Sequence, residues 1–255
     1  MVNTRFLTTG YWSESKRPLV SLVFLLPMLL VYEIGILVLG KDAARNGADM
    51  WLRNLLDLVG FTQYFLLPLL TCALLLAWHH TSRHPWRFSW GVFYGMVLES
   101  ILFALALFFV ARVVGTLADK MIGQGDALAL LAAVGRQTMA NVIGYFGAGV
   151  YEELLFRLML LPAIAGLLHV AGVQGKKGFL SAALISSLLF AAAHYKIDVG
   201  IAGVQLIRTT GDAFAWFSFL FRFVAGMFFA LLFIYRGFGI AAGTHALYDI
   251  LTVTF

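Results

Sequence analysis

A chain of 255 residues could fold as one domain or two, but 61% hydrophobic residues, 12% charged residues and a mean hydropathy of +0.88 exclude a water-soluble core and mark a polytopic membrane protein. The net charge of +5 does not point to nucleic acid as a partner, because the basic residues are scattered over short loops between apolar runs, as positive-inside topology and anionic lipid headgroups require. The single cysteine, Cys72, lies within an apolar run, which excludes an intrachain disulfide and a cysteine-based zinc site.

Several apolar runs reach the roughly 20 residues needed to cross a hydrocarbon core of about 30 Å, and none shows the period-two alternation of a membrane barrel. The predicted fold is therefore all-α: a transmembrane bundle of about seven to eight helices with one interfacial amphipathic helix, forming a single integral membrane domain over 1–255. Residues 1–17 read as a basic interfacial arm, and 19–39 as a first span that carries Pro27 and Glu33 and lacks the small-residue site of a cleaved signal. In 40–60, Trp51, Leu52, Leu55, Leu56 and Val59 recur near helical spacing among Lys41, Asp42, Arg45, Asp49, Arg53 and Asp57, which predicts the amphipathic helix.

The second span, 61–78, ends at His79, His80 and His84 beside Trp86 and Arg87, a setting in which histidines anchor at the interface more often than they bind metal. The third, 90–114, contains Glu99, and 116–135 read as a loop and a short helix able to cover a cavity. A fourth span begins near Gln137 and runs past Pro162 towards Val170, with Gly144, Gly147 and Gly149 allowing close helix approach. A fifth ends at His194-Tyr195. A connection over 196–212 has room for a short helix, and spans near 214–235 and 240–255 follow. Lys and Arg are in slight excess on the N-terminal side of the membrane, which places the N-terminus in the cytoplasm.

The chemistry concentrates in three of these runs. Glu152, Glu153 and Arg157 sit inside the fourth, where each ionised group is costly unless paired or facing water. On a helix Glu153 and Arg157 share a face, and Glu152 points about 100° away, so the spacing predicts a structural Glu153–Arg157 pair and a Glu152 free to address a cavity. Phe190 and His194 are also four apart, as are His245 and Asp249, the latter spacing allowing the carboxylate to orient the imidazole. Glutamate and histidine together can draw a proton from water while other polar groups stabilise an oxyanion. Glu33 and Glu99 could pair with Arg222 or line the same cavity.

Glu152-Glu153-x-x-x-Arg157, Phe190-x-x-x-His194 and His245-x-x-x-Asp249, in this order on separate apolar runs, resemble the motifs of the CAAX protease and bacteriocin-processing family of intramembrane endopeptidases. The resemblance covers roughly 137–255, a catalytic helical core, whereas 1–136 match only in being hydrophobic. It implies that Glu152 and His194 activate the attacking water, that His245 and the residue at 249 stabilise the oxyanion, and that Glu153 and Arg157 support the site. The implied substrate is a membrane-anchored or lipid-anchored protein or peptide. Because an ionised Asp249 would repel an oxyanion, an indirect role through His245 is preferred. The cofactor is either none or zinc, since Glu152, His194, His245 and Asp249 could also form a zinc set. A non-catalytic scaffold or bacteriocin immunity protein is the alternative function, followed by a proton-coupled transporter, against which the lack of an internal repeat weighs.

Overall fold

The computed structural model describes residues 10–40, 45–122, 139–196, 198–201, 204–208 and 211–254. After a short helical segment over 10–14, the helices are α1 (Pro18–Leu39), α2 (Gly47–Leu58), α3 (Leu66–Thr81) and α4 (Trp90–Ile122). Next comes a long helix, α5, which runs from Met139 to Val170, followed by α6 (Gly175–Ala192), α7 (Trp216–Arg236) and α8 (Phe238–Thr254). α1, α7, the stretch Trp90–Leu117 of α4 and Ala140–Val170 of α5 are long and apolar enough to cross a membrane, and the apolar α3 is shorter. The chain is an integral membrane protein. Of the seven to eight spans predicted, these four satisfy both length and hydropathy among the described residues; α8 has 17 residues and α6 opens on Lys176 and Lys177.

Burial follows the logic of a lipid-facing surface. Along α4, Leu98, Leu102, Leu105 and Phe109 are exposed, while Ala104, Leu107 and Ala111 face the bundle. The small residues lie inside because helices in lipid associate through close packing rather than through the hydrophobic effect. α8 is the hub of this packing and lies against α1, α4, α5 and α7. Its first nine residues, Phe238 to Ala246, are all buried.

α5 departs from regular α-helix where the sequence places its two carboxylates. Met139–Gly147 is α-helical, Ala148–Glu152 and Leu154–Leu160 are π-helical, and Leu161–Val170 is α-helical again with Pro162 in its first turn. π-helical turns, with i→i+5 hydrogen bonding, cluster at functional sites. Gly149 lies against α8 so closely that an added Cβ would stand 2.5 Å from the carbonyl oxygen of Ala242. Only glycine permits that crossing, and it brings α5 and α8 together one turn before Glu152 and Glu153.

Three expectations need correction. The loop expected from 116 does not begin there: the apolar stretch of α4 ends at Leu117, close to the expected end of the third span, but the helix continues to Ile122, and the remainder of the expected loop and short helix, like Gln137, lies outside the described residues. The described residues of the connection over 196–212 form not a short helix but an antiparallel pair, β1 (Asp198–Ile201) and β2 (Val204–Arg208), so the helical bundle carries a small β-ribbon. The β-branched residues Val199, Ile201, Val204 and Ile207 favour that state. α2 forms as expected, but one of its acids joins the face it buries: Asp49 is fully buried beside Ala48 and Leu52, whereas Trp51, Leu55 and Val59 are exposed.

Candidate active site

The three motifs converge. Glu153 and Arg157, side by side on α5, are both fully buried and form an ion pair at 3.3 Å between Oε2 and Nε. Arg157 also donates to the carbonyl oxygen of Gly226 on α7 (2.9 Å), and its guanidinium lies 4.4 Å from the centre of the Phe190 ring. The other oxygen of Glu153, Oε1, is 2.8 Å from Nδ1 of His245. Glu153 is therefore more than Arg157's partner: it ties the first motif to the third. A carboxylate accepts, so Nδ1 of His245 carries the hydrogen and Nε2 is left for the cavity. The imidazole is stacked on Phe229, 4.5 Å between ring centres and 12° between planes.

His194 follows the last turn of α6, and its Nδ1 is 2.8 Å from the carbonyl oxygen of Phe190, the residue four before it. A carbonyl cannot donate, so this contact assigns the hydrogen to Nδ1 and leaves Nε2 as the free position. The chain beyond is pinned at the same place, with the Asp212 backbone N–H donating to the His194 carbonyl oxygen (2.9 Å).

Glu152 lies between the two histidines. Its Oε2 is 3.6 Å from Nε2 of His194 and 3.8 Å from Nε2 of His245, too long for direct hydrogen bonds and suited to sharing a water. Asp249, one turn beyond His245, brings Oδ2 to 3.5 Å from the same Nε2. The predicted four-residue approach exists, but the short orienting hydrogen bond to the imidazole comes from Glu153, on another helix, which spacing within one segment does not reveal.

Glu152, His194, His245 and Asp249 all line a cavity of about 570 Å³, walled by Tyr145, Phe217, Phe221, Phe229 and Tyr248. A smaller cavity of about 270 Å³, lined by Trp51, Met50 and Phe156, reaches Glu152 and His194 as well. Asn46 borders both and donates from Nδ2 to Oε1 of Glu152 at 2.7 Å. Sequence reasoning missed Asn46, although Asn before an amphipathic helix is a legible N-cap.

The other intramembrane charges sit elsewhere. Glu33 pairs with Arg53 (3.0 Å) and accepts from Tyr151, while Glu99 pairs with Arg236 and accepts from Tyr11. Neither pairs with Arg222, whose partner is Asp212 at 2.6 Å, and neither lines the cavity that holds Glu152 and the two histidines. His79 is buried, with its ring edge-on to that of Trp86. As to zinc, among the described residues no group of three or more His, Cys, Asp or Glu side chains is arranged to hold a metal ion.

No curated protein and no solved structure matches the chain. The family model described as type II CAAX prenyl endopeptidase Rce1-like matches residues 134–251, a stretch that contains all three motifs and every residue of the cluster except Asn46. Laid over the convergence of α5, α6 and α8, that match makes residues 134–251 similar to the type II CAAX prenyl endopeptidases and supports a place for the chain in the CAAX protease and bacteriocin-processing family.

Proposed function

We propose that this protein is an intramembrane endopeptidase that hydrolyses a peptide bond of a membrane-anchored protein or peptide near its C-terminus, a prenylated protein being the substrate class that the family implies. The observation that carries this reading is the approach of Oε2 of Glu152 to Nε2 of His194 and of His245, at 3.6 and 3.8 Å, in a cavity walled by aromatic side chains. A water held between Glu152 and His194 is positioned to lose a proton to one of them as it attacks the scissile carbonyl. The tetrahedral intermediate needs donors for its oxyanion, and Nε2 of His245 is the nearest: an imidazolium donates from both nitrogens, one to Glu153 and one to the oxyanion. The proton taken from water then passes to the leaving amine nitrogen. Asp249 acts through His245, since its own negative charge would oppose the oxyanion. No step requires a metal ion.

The test is cleavage. Purified protein in lipid nanodiscs, given a farnesylated peptide ending in a CAAX sequence, is expected to release a C-terminal fragment detectable by mass spectrometry. Glu152→Ala and His194→Ala are each expected to abolish release while the protein stays folded. Full activity in both variants would overturn this mechanism. Comparing membrane-protein C-termini in deletion and parent strains would identify the natural substrate.

A further inference from the structure

Asn46 lies outside the three motifs and outside the stretch matched by the family model, 106 residues before the carboxylate that it touches. Its carboxamide makes two contacts that constrain each other. Oδ1 accepts from the backbone N–H of Ala48 (2.8 Å), capping α2, and Nδ2 donates to Oε1 of Glu152 (2.7 Å). Turning the amide over would set NH2 against an N–H and oxygen against a carboxylate, so the cap fixes which end faces Glu152. With Oε1 engaged in this way, the carboxylate is held in one rotamer and presents only Oε2 to the histidines.

Asn46 is itself held from behind. Its backbone N–H donates to the hydroxyl of Tyr32 (3.2 Å), and that hydroxyl donates to Asp49 (2.9 Å). Asp49 is bound by Arg45 (2.9 Å) and Arg53 (2.6 Å), and Arg53 reaches Glu33, which accepts from Tyr151. Tyr151 is the residue immediately before Glu152. The contacts therefore run from Tyr151 through α1 and α2 and return to Glu152, closing a loop around the π-helical stretch.

We propose that Asn46 is a positioning residue of the site: it sets the rotamer of the Glu152 carboxylate and makes the interfacial helix α2 a working part of the catalytic apparatus. The inference rests on the endopeptidase reading for its kinetic consequence, but not for the contact itself. A purely capping role and a positioning role make opposite predictions for two substitutions. Asp and Ser cap helices as well as Asn does, so Asn46→Asp and Asn46→Ser keep the cap. Asp, however, sets a second carboxylate against Glu152, and Ser is too short to reach it.

Under the positioning role both variants are expected to stay folded, with a lowered melting temperature because Oε1 of Glu152 loses its donor, and to lose about 10²-fold in kcat on the farnesylated peptide, with KM little changed. The second readout is independent of turnover. Infrared spectra of the purified protein in nanodiscs contain a carboxyl band of Glu152, identified by its loss in Glu152→Gln, and this band is expected to shift in Asn46→Ser. Parent-level kcat in both variants, or an unmoved band, would overturn the proposal. If the parent protein cleaves no such peptide, the endopeptidase reading fails, while the infrared comparison still decides for or against Asn46.

Discussion

Two clusters of buried charge lie on either side of Tyr151 and Glu152, and they are built differently. The Glu33–Arg53–Asp49 cluster has a donor for each of its four carboxylate oxygens, from Arg45, Arg53, Tyr32 or Tyr151, and its acids line none of the cavities described above. In the Glu152–His194–His245 cluster, Oε2 of Glu152 makes no hydrogen bond, and both imidazoles turn Nε2 towards it across gaps of 3.6 and 3.8 Å. A buried polar group left open is expensive, and it persists where something else is meant to fill the gap. Charge in a membrane segment thus marks a candidate, and between these two clusters what separates a candidate reaction centre from a brace is an open carboxylate oxygen set in a cavity between two imidazoles.

The contrast can be broken or sharpened by substitution. The largest effect is expected at the open cluster: Glu152→Gln should lower turnover by about 10²–10⁴-fold with little change in melting temperature, measured as kcat beside thermal unfolding. Next, Arg157→Met strands Glu153 in a fully buried position and should cost about 3–5 kcal/mol in stability. Adding Glu153→Leu should restore much of that stability, because an apolar pair can replace a buried ion pair, but not turnover, because His245 then loses its Nδ1 partner. At the filled cluster, Arg53→Met should again cost stability, by up to about 3 kcal/mol, while the folded fraction loses far less turnover than Glu152→Gln does. If Arg53→Met instead matched Glu152→Gln in turnover, the distinction between brace and reaction centre would not hold. The smallest effect is expected from chelators: turnover should survive dialysis against a strong zinc chelator, and metal analysis should find no stoichiometric zinc.

What could be read in the sequence was local. Glu153 with Arg157, Phe190 with His194 and His245 with Asp249 are neighbours along single segments, and each approach exists as the spacing predicts. The order of the motifs on separate apolar runs pointed to one candidate site, and residues of all three motifs line one cavity. Contacts between helices depend on how each is rotated about its axis, which composition and spacing do not encode. Glu153 reaching His245 and Asn46 reaching Glu152 are both of this kind. The pairing of Glu33 with Arg53 was hidden because it depends on α2 turning Asp49 and Arg53 towards α1, a rotation about the helix axis. The π-helical turns carry no recognisable residue pattern of their own.

Those turns have a consequence for anyone who would transplant the motif. Each residue of an ordinary α-helix advances about 100° around the axis, so rebuilding Ala148–Leu160 as ideal helix would redirect whatever follows. A designed helix bearing Glu-Glu-x-x-x-Arg would reproduce the letters and lose the aim. For the same reason a single-residue deletion here, harmless in many helices' ends, would turn Arg157 and the remainder of α5 away from their partners. The motif is best understood as a shape with a residue count, and its length is as much a part of it as its charges.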